Sequence, residues 1–173
     1  MPFFDSLPFN IIPLGLLAIG LLCISVIDIK THEIPDGFLL FLLLVGILWV
    51  ISGYTPFFKD IKTDAPTWQN ALLGAAAGAG PLFAIDRICI IAIKKEGFGY
   101  GDIKLMGVSG LFLGWQPALI AIIIAFVTGG LFGFFLLAAR KANKGAYFAF
   151  APFLSLGVIC ALCFGERIML FLP

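Results

Sequence analysis

The sequence predicts an all-α, polytopic membrane fold of about six helices, the fourth of them short. Three observations carry that prediction. Of the 173 residues, 61% are hydrophobic and only 12% are charged, against about 25% charged in a soluble domain. Water could not be kept from so much apolar surface, so the solvent must be lipid. The charges also recur at intervals that suit a bilayer, and the basic and aromatic residues sort onto opposite faces. A net charge of +1 gives no ground for a nucleic-acid partner.

The elements follow in order. Between Asp5 and Asp28 lie 22 uncharged residues, and between Asp36 and Lys59 another 22. Between Asp64 and Asp86 there are 21, and between Lys144 and Glu166 again 21. Each run matches the ~20 residues that a helix needs to cross a hydrocarbon core of about 30 Å. The stretch from Lys104 to Arg140 holds 35 uncharged residues, too many for one span. Gly114-Trp115-Gln116-Pro117 interrupts it, and proline breaks helix interiors but starts helices well. The stretch therefore divides into a short helix over about 103–113 and a full one over about 117–139. No Lys or Arg precedes Lys30, so the first run lacks the basic flank of a signal peptide and reads as a retained span. Gly74 with Gly78, and Gly129 with Gly133, are small-xxx-small pairs that let helices approach closely. The segment 53–68 reads as a solvated connection.

With six crossings, one face carries Lys30, Lys94, Lys95, Lys104, Arg140, Lys141 and Lys144, with Arg87 just inside; the other carries Lys59, Lys62 and Arg167. Basic residues favour the cytoplasm, which places both termini outside. Tyr54, Trp68 and Trp115 then fall at the outer interface, where amphipathic rings belong.

Ionisable residues at membrane depth are costly and are candidates for function. Asp28 closes the first helix and Asp102 opens the fourth, 74 positions later at the same face. Gly114 lies twelve positions beyond Asp102, about 18 Å of helix. With Trp115 at the outer interface, Asp102 cannot reach the inner surface and lies in a cavity open to cytoplasmic water. Gly97, Gly99 and Gly101 fit an irregular backbone at that depth. Two carboxylates in one confined site do not both ionise cheaply, so one keeps its proton and the pair can serve as base and acid. That is the chemistry of an aspartic protease: one carboxylate deprotonates a water that attacks a peptide carbonyl, and the other protonates the departing amine. The step needs no cofactor or metal. The bland alternatives are that Asp102 is a helix N-cap and Asp28 an interfacial helix-end charge.

The ordered segments decide between these. Glu96-Gly-Phe-Gly-Tyr-Gly-Asp102-Ile-Lys-Leu-Met106, then Ile27-Asp28 with Pro35-Asp36 seven residues on, and Ala151-Pro152-Phe153-Leu154 together resemble the peptidase domain of bacterial type IV prepilin peptidases, the GxGD membrane aspartic proteases. The resemblance covers essentially the whole chain and implies one membrane-embedded aspartic peptidase domain over residues 1–173. It implies Asp28 and Asp102 as the catalytic pair, with Gly99, Gly101, Lys104, Pro35 and Pro152 shaping the site. It implies an active site on the cytoplasmic face of the bacterial inner membrane, and as partners the bilayer and pilin-like or pseudopilin precursors, whose basic leader is cleaved. Many members also carry an N-terminal region with two CxxC pairs, linked to methylation of the new N-terminus. Here the first helix begins within about ten residues of Met1. The expectation is a peptidase without methyltransferase activity, or a piece of a longer chain. Two rivals stand beside this reading. A presenilin-like intramembrane protease shares GxGD but adds a Pro-Ala-Leu motif not found here. A proton or cation transporter using the same aspartates would show repeated halves and broken helices, and neither is seen.

Other residues read more plainly. Cys160 and Cys163 form a CxxC in mid-helix without a second pair, and read as packing, with Cys23 and Cys89 likewise buried. His32 reads as solvated, and Asp36 as the cap of the second helix. Asp86 and Arg87 read as an interfacial pair or snorkelling side chains. Lys104 has two readings, tuning the acid pair or anchoring its helix. Glu96 is a candidate for attracting a basic leader.

Overall fold

A computed structural model describes residues 7–52, 66–94, 97–138 and 149–169. Over them the chain forms six helices and no strand: α1 (Leu7–Thr31), α2 (Asp36–Ser52), α3 (Trp68–Ile93), α4 (Tyr100–Leu113), α5 (Trp115–Ala138) and α6 (Ala151–Met169). Three stretches, Ile12–Thr31, Trp68–Ala92 and Trp115–Phe135, are long and apolar enough to cross a membrane; Asp36–Ser52 and Ala151–Phe164 are shorter apolar helices. Lys59, Lys62, Tyr54, Lys95, Glu96, Arg140, Lys141 and Lys144 lie outside the described residues, as does the side chain of Arg167.

The shortest helix is central. α4 touches α2, α3, α5 and α6, and buries Ile103, Leu105, Met106, Val108, Ser109, Gly110 and Phe112. Only Tyr100 and Lys104, near its start, are exposed, and a helix otherwise enclosed has no polar face to show. Its closest partner is α3, and Gly74 and Gly78 on α3 with Gly110 on α4 set the approach. A Cβ on Gly74 would fall on the carbonyl oxygen of Gly110, and one on Gly78 on the carbonyl of Met106. The pair Gly129 and Gly133 behaves differently. Gly129 is packed under Phe150 and Phe153, whereas Gly133 faces open space.

Gly114 makes the break between α4 and α5 alone. Its φ of 78° is a left-handed conformation that few side chains adopt, and a Cβ there would meet the Asn70 amide at 2.9 Å. Trp115, Gln116 and Pro117 already belong to α5, so the polar turn expected over 114–117 is one residue long. Pro117 is tolerated because N–H groups of a first helical turn have no partner to lose. Asn70 Oδ1 accepts the Trp115 amide at 3.2 Å, and Thr67 Oγ1 accepts the Asn70 amide at 3.3 Å. These bonds bring the starts of α3 and α5 together, with the exposed rings of Trp68 and Trp115 at the same end.

Leu17, Leu21, Ile24, Leu42, Leu82, Leu154 and Val158 are fully buried between the helices. Outside them, Ile19, Leu22, Leu48, Ile91, Ile123, Val127 and Phe134 are exposed. A monomer in water does not leave so much large apolar side chain uncovered; this is the surface of a membrane protein. Cys23 belongs to that exposed surface rather than to the core, and Cys89 is half-buried. Cys160 and Cys163 are free thiols.

Candidate functional site

The α3–α4 register fixes how deep the fourth helix begins. Gly74 meets Gly110 and Gly78 meets Met106, so one antiparallel turn further on Leu82 stands level with Asp102. α3 continues to Ile93, eleven residues beyond Leu82, or about 16 Å at 1.5 Å per residue. Asp102 therefore sits well inside the end of its neighbour, and the segment 97–99 descends to reach it.

That descent needs small residues more than unusual backbone angles. Gly99 has an ordinary φ of −67° and Gly101 lies within α4, so the conformational freedom expected of them is not used. Space is. A Cβ on Gly97 would meet Cys89 Sγ at 2.9 Å, and one on Gly101 would meet Ile34 Cβ at 2.9 Å. Gly99, with φ −67° and ψ 143°, occupies the N-cap position of α4, and its carbonyl accepts the Asp102 amide at 3.0 Å. Asp102 is thus a first-turn residue and not the cap.

The other acid arrives on α1. Asp28 is 6% exposed, three residues before the helix end, where the His32 amide bonds the Asp28 carbonyl at 2.8 Å and His32 turns the chain with φ 54°. Its carboxylate Oδ2 accepts the Ala151 amide at 3.2 Å. Ala151 opens α6, and Phe153 and Leu154 both bond back to the Phe150 carbonyl. Asp28 therefore sits at the positive end of α6, taking an N–H that would otherwise lack a partner. Pro152 is at home in that turn because it brings no further orphan donor. Below, the Ser25 and Ser155 hydroxyls meet at 2.8 Å between the same helices.

Asp28 and Asp102 line one cavity of about 560 Å³. His32, Glu33, Ile34, Asp36 and Lys104 line it together with the 97–101 segment, Ala149 and Phe150. Phe98 meets Phe126 and Phe150 at ring-centroid distances of 5.5 and 5.2 Å, forming an aromatic wall. Of the residues singled out in the sequence, Gly99, Gly101 and Lys104 line this cavity together with the two acids; Pro35 and Pro152 do not. Both prolines act one step away. The Pro35 carbonyl accepts the Phe38 and Leu39 amides and starts α2, so Asp36 is not its cap. Asp36 instead accepts Lys104 Nζ at 2.6 Å, with both side chains largely exposed.

Asp86 forms the expected pair with Arg87 but lies deeper than expected. It is fully buried, not snorkelling, and its Oδ1 accepts the Gly97 and Phe98 amides at 3.0 and 3.4 Å. Arg87 lies 3.7 Å from its Oδ2 and also donates to the Tyr100 hydroxyl. The contact of Asp28 with Ala151 was likewise not foreseen, although the proline beside Ala151 marks a helix start.

Fold and site together define a helical membrane protein with two carboxylates lining one cavity at one end of the bundle. Comparison with known proteins makes this specific. A family model, the type IV leader peptidase family, matches residues 15–134, a span that includes both aspartates. The chain belongs to the type IV leader peptidase family. It is 33% identical over 142 residues to a prepilin leader peptidase/N-methyltransferase of Stutzerimonas stutzeri, covering 82% of this chain and 46% of that protein. A protein of the same name from Aeromonas salmonicida is 32% identical over 143 residues, 82% of this chain and 45% of the relative. One from Escherichia coli strain K12 is 30% identical over 132 residues, 76% and 53%. The chain spans about half the length of the curated relatives that it matches. No solved structure matches it.

Proposed function

We propose that the protein is a prepilin-type leader peptidase, cleaving pilin-like or pseudopilin precursors with Asp28 and Asp102 as an aspartate dyad. The observation that carries this reading is that these two acids, 74 positions apart in sequence and on different helices, line one cavity. Water held between them gives its proton to the ionised carboxylate while its oxygen attacks the carbonyl carbon of the scissile bond. The protonated partner supports the developing oxyanion. On collapse the carbon–nitrogen bond breaks, and the amine leaves with a proton from the pair. The acids titrate as a unit, so the two roles belong to the dyad.

The reading includes a single peptidase domain over residues 1–173, six membrane crossings, the bacterial inner membrane, a cavity open to the cytoplasm and both ends outside. Its support is the position of Lys30, Lys94 and Lys104 at the cavity end and of Trp68 and Trp115 at the other. The proposal covers cleavage, as the relatives' names include it. The test is coexpression of a pilin-like precursor with wild type and with Asp28→Asn and Asp102→Asn. Each substitution keeps size but removes proton transfer, and cleavage should fall by at least ~10²–10⁴-fold. Continued processing by either variant would falsify the dyad.

A further inference from the structure

We propose that Asp86 is a positioning residue: it holds the 97–99 segment, and thereby Asp102, at the depth where the acid pair can act. The inference rests on the dyad reading. Asp86 touches neither the cavity nor Asp102, and its work is done through backbone. A fully buried carboxylate is expensive unless it is bonded, and this one spends Oδ1 on two amides of the segment that leads into α4. Those amides precede the first turn of α4, whose cap is Gly99. Neither residue lies within a helix among the described residues, and the side chain of the neighbouring helix supplies an acceptor.

The position of Asp86 on α3 makes the contact informative. Extending the glycine register places Asp86 one turn beyond Leu82, level with Phe98. The same packing that brings α3 against α4 therefore brings this acceptor against the descending segment. Arg87, next on the helix, bonds Tyr100 beyond the segment's other end, so consecutive α3 residues grip it on both sides of Gly99. Asp102 follows two residues after Tyr100, within the same rigid turn. Loss of the acceptor would free the segment to rise, and a shift of about 1 Å at a reacting group can cost ~10²-fold in rate.

The experiment compares Asp86→Asn, which keeps an acceptor at Oδ1, with Asp86→Leu, which fills the space without one. Both are purified in detergent, and cleavage of a pilin-like precursor is measured per folded molecule. Asp86→Leu should lose about 10²-fold in kcat with KM within threefold of wild type, while Asp86→Asn should keep kcat within about threefold. A purely structural role would lower the folded fraction and leave kcat per folded molecule unchanged in both, which overturns the proposal. Equal loss in the two variants also overturns it, because charge and not the acceptor would then matter. Should Asp86→Leu not fold, hydrogen exchange at the Gly97 and Phe98 amides of wild type decides. Protection is expected, and exchange at the rate of free peptide would overturn the contact. This readout needs no activity, so failure of the wild type to cleave leaves it intact and counts only against the peptidase reading.

Discussion

Lys104 stands two residues beyond Asp102 and reaches Asp36 at 2.6 Å, yet both side chains are more than half exposed. Exposed pairs of this kind contribute under about 1 kcal/mol. The contact links the starts of α2 and α4 over the cavity rim and leaves the acids to each other. Lys104→Met should therefore change stability by less than about 1 kcal/mol and cleavage by less than about threefold, measured by thermal unfolding in detergent and by precursor processing. A loss approaching that of Asp102→Asn would make the ammonium part of the reaction. At this scale the sequence was legible where cost was visible: acids at membrane depth stand out because a buried charge is expensive. Asp86 was costly in the same way, but its partners are backbone amides of Gly97 and Phe98. Every residue but proline carries a backbone N–H, so such a partner leaves no mark in a sequence. The Asp28–Ala151 contact was hidden for the same reason.

Among helices, the α3–α4 contact shows what small residues accomplish. Gly110 and Gly74 lie backbone to backbone, and a Cβ on either would overlap the other's carbonyl. Neither helix can yield without moving the register that sets the level of Asp102. Gly110→Ala should lower stability by about 1–3 kcal/mol, the cost of overpacking a tight core. Gly80, on the same α3, meets nothing within 4 Å. There alanine should be neutral or stabilising by up to ~1 kcal/mol, because glycine is the poorer helix former. Thermal unfolding of both variants checks the sign, and two similar shifts would remove the close approach as the cause. Charge spacing made all six helices legible, since the cost of burying a charge separates spans cleanly. Their ends were less so. α4 begins at Tyr100 and α5 at Trp115, because caps at Gly99 and Gly114 are set by backbone angles and neighbouring atoms that hydropathy does not register.

The whole bundle is polar at two ends and apolar between them, and the ends differ. One gathers Asp28, His32, Glu33, Asp36, Asp102 and Lys104 around the cavity; the other gathers Thr67, Asn70 and Trp115 through hydrogen bonds at the starts of α3 and α5. Which helices neighbour one another was not legible, because every span carries apolar residues on all sides and no periodic face names a partner. The orientation proposed for the bundle rests instead on charge, and it makes an asymmetric prediction. Glu33 and Gln69 are both exposed, the first at the cavity rim and the second at the opposite end. Each is replaced by cysteine in a background with Cys23, Cys89, Cys160 and Cys163 changed to alanine. In intact cells, a membrane-impermeant thiol reagent should label Gln69→Cys and should reach Glu33→Cys only after the membrane is opened. The reverse pattern would place the cavity outside, where a precursor still anchored on the cytoplasmic side could not present its leader. Labelling of both positions in intact cells would mean that the helices between them do not span at all.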